Sequence, residues 1–282
     1  MNADPQTLFQ SPSPAYTQEF IAINLAIRLA SDRIRQLFYE GLLIHTKPDG
    51  SPVTNADLEV DRILREVLLG AFPEDGWLSE EGPDHPARHQ YSRVWILDPI
   101  DGTRPFTKLL PQFTISLALI DQGRHALGVI VNPATQEYFW AVGGSGAYLN
   151  GKPLSTTAQT APGSQADPIR PTFLVSPGSL PRTILKEWKK IAHCPFILGS
   201  IAYSLAMVAA GRVHGVINLG NQNEWDIAAG TLLIQEAGGI ILDRHQRPIV
   251  FNQSHPVVDG TIAAHPRTFS LMQTLLQSVS SI

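Results

Sequence analysis

Val94-Trp95-Ile96-Leu97-Asp98-Pro99-Ile100-Asp101-Gly102-Thr103 is the stretch from which the chain can be read. Four apolar residues make a buried strand, and Asp98 stands at its end. Proline has no N–H for a ladder, so Pro99 predicts that the strand stops there. Asp101 follows three residues later, then a glycine and a hydroxyl. Two carboxylates this close repel each other unless a cation lies between them. Hard divalent ions, Mg2+ above all, take such all-oxygen sets, and the Ile100 carbonyl can join them. If Gly102 and Thr103 open a helix, their N–H groups point at an anion, which suits phosphate. An Asp-Gly turn with an N-cap is the plainer reading, but a cap does not need two acids after a buried strand.

Outward from this segment the pattern is mixed. Upstream, Phe20, Ile23, Ile27, Ile34 and Leu37 lie on one face of a helix predicted from Thr17 to Gly41. His45–Pro52 reads as a loop, and a second helix is expected over about Asn55–Leu69. Strands are expected at Val94–Asp98, Phe113–Ile120, Ala126–Asn132 and Tyr138–Val142. Ala158–Pro171, with three prolines, reads as a loop or a connection between halves. Beyond it, strands at Thr172–Ser176, Phe196–Leu198 and Gly215–Leu219 alternate with helices at Thr183–Ile191, Ser200–Ala210, Asp226–Ala237 and Thr268–Leu276. That alternation marks an α/β fold. The expected organisation is a mobile tail over 1–16, an N-terminal α+β metal-binding half over 17–150 and a C-terminal α/β half over 151–282.

Composition narrows the function. The chain has 282 residues, a formal charge of −4 and only 16% charged residues. One cysteine, Cys194, cannot form an internal disulfide, which fits a reducing compartment. No apolar run approaches the roughly 18 residues of a membrane span, and the N-terminus lacks the basic and apolar regions of a signal peptide. No dense Lys/Arg block suggests a nucleic-acid polymer as partner. A soluble cytoplasmic protein is expected. Gly146–Lys152 matches the glycine-lysine spacing of a phosphate-binding loop, but Pro153 replaces the required hydroxyl and Asn150-Gly151 is a common hairpin turn. His193-Cys194 lacks a third orienting residue for nucleophilic work.

Three further acidic segments accompany the first. Leu78-Ser79-Glu80-Glu81-Gly82 places two glutamates after an apolar pair. Ser51-Pro52-Val53-Thr54-Asn55-Ala56-Asp57 has the spacing of a capping box. Glu224-Trp225-Asp226-Ile227-Ala228-Ala229-Gly230 begins an apolar helix that ends at Gly238-Gly239, with Asp226 in its first turn. Setting aside Asp57, Glu80, Asp98, Asp101 and Asp226 changes the formal charge from −4 to +1.

In this order the four segments resemble the inositol monophosphatase superfamily, over about residues 17–280. The resemblance implies a layered αβαβα sandwich of the inositol monophosphatase and fructose-1,6-bisphosphatase type. It implies Mg2+-dependent, lithium-sensitive hydrolysis of a small phosphate ester by an enzyme that is commonly a homodimer. Glu80, Asp98, the Ile100 carbonyl, Asp101 and Asp226 would hold two or three Mg2+ ions, with Asp98 bridging two. Asp57 would orient Thr103, and that pair with Glu80 and a metal would generate the attacking hydroxide. Asp101, Gly102, Thr103, Gly199, Ser200, Asn218 and Asp226 would contact phosphate or substrate.

Asn218 stands where inositol phosphatases usually carry a glutamate that grips ring hydroxyls. The run after Gly102-Thr103, together with Lys47–Pro52 and Ser79-Glu80-Glu81, is similar to the 3′(2′),5′-bisphosphate nucleotidase branch. That branch often has a lysine shortly after the Gly199-Ser200 pair, where this chain has Ile201-Ala202-Tyr203. Tyr203 with Asp49–Pro52 is similar to a histidinol-phosphatase-like branch. The expected reaction is conversion of 3′-phosphoadenosine 5′-phosphate to AMP; the alternatives are inositol 1-phosphate, fructose 1,6-bisphosphate or histidinol phosphate as substrate. A regulatory protein that binds metal or phosphate without turnover is the non-enzyme alternative, and the presence of Asp57, Glu80 and Thr103 favours an enzyme.

Overall fold

The computed structural model describes residues 13–48, 50–156, 170–197 and 199–280. Most of the expected tail, most of the Ala158–Pro171 loop, Asp49 and Leu198 lie outside the described residues. Pro14–Tyr16 form a 3-10 turn that leads into α1 (Thr17–Glu40). Gly41 closes α1 by donating to Leu37 O at 2.9 Å. α2 (Asn55–Ala71) begins at the capping box read from sequence: the Thr54 side chain caps the helix, and Asp57 accepts from Thr54 N. Such caps stabilise by about 1 kcal/mol.

β1 (Ile44–Thr46) and β2 (Pro52–Thr54) form a small antiparallel hairpin where a loop was expected. The remaining N-terminal strands are β3 (Gly76–Ser79), β4 (Arg93–Asp101), β5 (Thr114–Asp121), β6 (Arg124–Asn132), β7 (Glu137–Val142), β8 (Gly146–Leu149) and β9 (Lys152–Pro153). They make a seven-stranded sheet in chain order, antiparallel except for the parallel β3–β4 pair. The turn between β8 and β9 is Asn150-Gly151, both at positive φ, so that segment is a hairpin and not a phosphate loop.

The second sheet has the order β10 (Phe173–Val175), β11 (Gly215–Asn223), β13 (Val257–Ala264), β12 (Ile240–Leu242). Its central pair, β11–β13, is antiparallel, and only β10–β11 is parallel. The expected strand at Phe196–Leu198 is reduced to single bridges, Thr172 to His193 and Val175 to Phe196. Pro195, which lacks a donor, and Gly199 flank a segment too short for a ladder.

Five layers are joined by three apolar cores, the middle one reaching both faces of its helical layer. α1 and α2 pack on one face of the first sheet through Ile23, Ile27, Val60, Leu64, Trp95 and Leu117. α5 (Ile201–Ala209) and α6 (Glu224–Glu236) lie between the two sheets, with Leu205, Ile227 and Leu233 against Ile96, Ile130 and Val216. α4 (Arg182–Trp188) and α7 (Pro266–Ser280) cover the outer face of the second sheet. The order helix, sheet, helix, sheet, helix is the sandwich that the resemblance implies. α6 is apolar almost all round because it is sandwiched on both faces. Among the described residues, no helix is long and apolar enough to cross a membrane.

Candidate active site

The site forms where β4 ends. The strand does not stop at Pro99 as expected. It runs on to Asp101 across a register shift: Asp98 pairs with Ser116, and Asp101 with Thr114. The irregularity accommodates a residue without an N–H and turns the chain. Asp98 is 2% exposed, and its Oδ1 accepts from Ile100 N at 3.0 Å. β3 lies parallel to β4, and Glu80 N donates to Leu97 O at 3.2 Å, which brings Glu80 beside Asp98.

Gly102 has φ +94° and precedes the four-residue helix α3 (Thr103–Phe106). A Cβ there would meet Gln112 O at 2.5 Å, so both the conformation and the space require glycine. Gly199 abuts the same carbonyl, and Ser200 N donates to it at 3.1 Å. Gln112 thus locks α3 against the start of α5. Thr103 Oγ1 stands 3.2 Å from Asp57 Oδ1 and 3.1 Å from Ile100 O. Asp57 Oδ2 accepts from Thr54 N at 2.8 Å and Thr54 Oγ1 at 2.6 Å. The capping box and the pairing with Thr103 are therefore one arrangement.

Asp101 Oδ2 accepts from Ser200 Oγ and Ala202 N, both at 2.6 Å, at the N-terminus of α5. Ser200 was expected at the substrate. It is 3% exposed, and its hydroxyl is engaged with Asp101, Thr114 Oγ1 and Tyr203 N. It holds Asp101 Oδ2. Asp226 is the third residue of α6, where its Oδ2 accepts from Asn223 N at 3.1 Å.

Glu80, Gly102, Thr103, Gly199, Asn218 and Asp226 line one cleft of about 460 Å3. Asp57, Asp98, Ile100 and Asp101 are buried in the structure around them. The cleft also includes Arg104 and Pro105, from the run similar to the nucleotidase branch, and Pro177, Ile197, Asn221 and Gln222, none of which is among the expected site residues. Lys47, on the loop between β1 and β2, is another omission: its Nζ meets Glu80 Oε1 at 2.7 Å and Glu81 Oε1 at 2.8 Å. A lone lysine in a Pro/Gly-rich loop upstream of an acidic pair was the available signal.

The electrostatics are those of crowded acids. Burial raises Asp98 well above the usual carboxylate range, and Glu80, Asp101, Asp226 and Asp57 push it further. Burial and then the charges of Asp101 and Glu80 raise Asp226. Asp101 is lifted to about 6 by burial, against the hydrogen bonds from Ser200 and Ala202. Burial likewise raises Asp57, and it lifts Glu81 to about 7. Burial pulls Lys47 down, but the hydrogen bonds to Glu80 and Glu81 outweigh it and hold its ammonium charged.

Among the described residues, no group of three or more His, Cys, Asp or Glu side chains is arranged to hold a metal ion. The donor set nevertheless fits a hard cation. Asp98, Asp226 and Glu80 each have one carboxylate oxygen held by the chain, by Ile100 N, Asn223 N and Lys47 respectively. Carboxylate oxygens fixed in this way by the chain suit Mg2+. Cys194, by contrast, is buried, and burial pushes its thiol up, which leaves it a poor nucleophile.

Crowded carboxylates at a strand end of a five-layer sandwich form a site whose negative charge suits a hard cation. The profile of the inositol monophosphatase family matches residues 17–278. The chain is 32% identical over 244 residues to the inositol-1-monophosphatase of Bacillus subtilis, covering 86% of this chain and 92% of that one. It is also 32% identical over 234 residues to the 3′(2′),5′-bisphosphate nucleotidase CysQ of Aggregatibacter actinomycetemcomitans, covering 82% and 86%. In fold it is similar to an IMPase/NADP phosphatase solved with Mg2+ and phosphate, with a TM-score of 0.80, 21% identity and coverage of 93% and 95%. The chain belongs to the inositol monophosphatase family and is a phosphatase, a phosphoric monoester hydrolase.

Proposed function

We propose that this phosphatase acts with Mg2+ on a small ester whose leaving group carries a second phosphate, as in 3′(2′),5′-bisphosphate nucleotides. The orientation of Asn218 carries the substrate class. Its Oδ1 lies 3.0 Å from Gly220 N and 3.3 Å from Ser179 Oγ. A backbone N–H can only donate, so this oxygen is fixed on the protein side and Nδ2 is the end left for a ligand. Where a glutamate would accept from ring hydroxyls, this wall offers N–H donors. Arg104, exposed on the same cleft, adds a guanidinium. Donors and a guanidinium suit phosphate oxygens, and Pro105, Pro177 and Ile197 give apolar surface for a base. The similarity to the CysQ nucleotidase points the same way.

Glu80, Asp98, the Ile100 carbonyl, Asp101 and Asp226 would hold two or three Mg2+ ions. Bound there, Mg2+ acidifies water and neutralises charge on the transferring phosphate. The chain's own part is positioning and proton transfer. Thr103 Oγ1, its hydrogen directed to Asp57 Oδ1, offers a lone pair to a water in the cleft. As water oxygen bonds to phosphorus, its proton passes to Thr103 Oγ1 and the threonine proton to Asp57 Oδ1. Burial raises the Asp57 carboxyl, which suits it to accept a proton. The bond from phosphorus to the ester oxygen breaks, its electron pair goes to that oxygen, and solvent supplies the proton. Inhibition by Li+ belongs to the same reading.

Phosphate release from 3′-phosphoadenosine 5′-phosphate, inositol 1-phosphate, fructose 1,6-bisphosphate and histidinol phosphate, with Mg2+ and with Li+ added, tests it. The expected result is a lead of about tenfold or more in kcat/KM for the bisphosphate nucleotide. A lead for inositol 1-phosphate would support the second reading, which the match over 92% of the Bacillus subtilis enzyme favours.

A further inference from the structure

Beside the site lies a buried charged cluster that the proposed reaction does not use. After Glu80 the chain runs through Gly82-Pro83 into an exposed loop, and Arg88 is the point at which it dives inward, at 2% exposure. Four hydrogen bonds hold the guanidinium. Nε donates to Asp84 Oδ1 at 2.6 Å and Nη2 to Asp84 Oδ2 at 3.1 Å. Nη1 donates to Asn252 Oδ1, and Nη2 also donates to Gln253 O at 2.5 Å. The Asn252-Gln253 turn is held from its other side by Glu224, which is 0% exposed. One Glu224 oxygen accepts from Asn252 N at 2.7 Å and the other from Gln253 N at 2.8 Å. Glu224 N in turn donates to Pro256 O at 2.9 Å.

These bonds join the segment that starts at Glu80 to the helix that starts at Glu224, two residues before Asp226. We propose that Arg88 and Glu224 form a clamp that sets the spacing of Glu80 and Asp226 for a divalent cation. Both are positioning residues. Neither lines the cleft, and neither belongs to the apolar cores of the sandwich. Glu80 itself is tied to Leu97 O and to Lys47, and the exposed loop that follows it is tethered to the start of α6 through the Arg88 guanidinium, so without that guanidinium this second tie between Glu80 and Asp226 is lost. Without its carboxylate, Glu224 no longer fixes the turn on which Arg88 rests. The inference rests on the reading that the acid cluster binds Mg2+.

The test is calorimetric titration of Mg2+ into the full-length protein without substrate, alongside melting in excess chelator. Arg88→Met removes the guanidinium, and Glu224→Gln places an amide N–H against a peptide N–H at unchanged volume. Both are expected to weaken Mg2+ binding about ten- to a hundredfold, the usual cost of losing a residue that orients metal ligands. Arg88→Lys, which keeps the charge but not the fork, is expected to recover part of the affinity. Arg93→Met, in an ion network away from the cleft, is the control for lost stability alone: it should lower the melting temperature and leave Mg2+ binding unchanged. If Arg88→Met does not fold, Asn252→Ala, which removes one acceptor from the guanidinium, answers the same question. Titration curves for the Arg88 and Glu224 variants that overlay wild type, or lose no more affinity than Arg93→Met, overturn the clamp. A wild-type protein that takes up no Mg2+ overturns instead the reading beneath it.

Discussion

The two ends of β4 carry buried acids in opposite states. At its start, Arg93 meets Glu19 Oε1 at 2.8 Å and Asp75 Oδ1 at 3.0 Å. Trp95 Nε1 donates to Asp75 Oδ2 at 2.8 Å, and the guanidinium lies over the Phe72 ring. Two acids there share one cation and an indole donor. At the far end, Asp98 and Asp101 gather with Glu80, Asp226 and Asp57, and the cation that reaches the group, Lys47, is engaged by Glu80 and Glu81. The same strand therefore ends once in near balance and once in deficit. Natural sequences tolerate such a deficit where function uses it. The balanced end is structure, and the deficient end is a place for added positive charge.

Substitutions at the two ends should behave oppositely. Asp98→Asn is expected to lower kcat/KM by about a thousandfold or more, several kcal/mol of barrier, while raising the melting temperature of the metal-free protein by relieving repulsion. Activity within tenfold of wild type would remove Asp98 from the reaction. Arg93→Met should do the reverse. It strands Glu19 and Asp75, at a cost of roughly 3 kcal/mol, the low end for one partner of a buried pair because Arg93 is partly exposed. Denaturant unfolding reads that loss, and activity below the transition should stay within a few-fold of wild type. Thr103→Ala is expected to reduce kcat about a hundredfold with a smaller change in KM. A change confined to KM would make Thr103 a binding residue.

The smallest effect concerns pH. Asp101 is raised from its ordinary value to about 6, and Asp98 and Asp226 are raised as well. A carboxyl whose folded pKa is raised binds more protons folded than unfolded. Its stabilising share is full below the unfolded value near 4 and is lost as pH rises through about 6. The metal-free protein should therefore melt lower at pH 7 than at pH 5, and Mg2+ should flatten the profile. Melting curves across this range with and without Mg2+ check both statements; a metal-free profile that rises with pH would contradict the deficit.

Much of this contrast was legible in sequence because the deciding signals are local. The Thr54–Asp57 capping box, the Asp98–Thr103 run and the Asp226 helix start each fold on their own rules, and the structure brings them together. What escaped was non-local. Pro99 looked like a strand end because a register shift depends on the partner strand β5, not on the proline. β13 is not among the expected strands, because it is defined by pairing with β11 and β12, which are distant in sequence. The contacts of the Ser200 hydroxyl with Thr114 and Asp101 were likewise not legible in the sequence. Lys47 and Arg88 gained meaning only when Glu80, Glu81 and Asn252 were placed beside them.

The central claim is that the deficient end of β4 works only with a divalent cation. Phosphate release from 3′-phosphoadenosine 5′-phosphate, followed while Mg2+ is titrated into enzyme held in excess chelator, tests it most directly. The account predicts no release at the start and turnover that rises and saturates with free Mg2+. Full activity before any Mg2+ is added would contradict it.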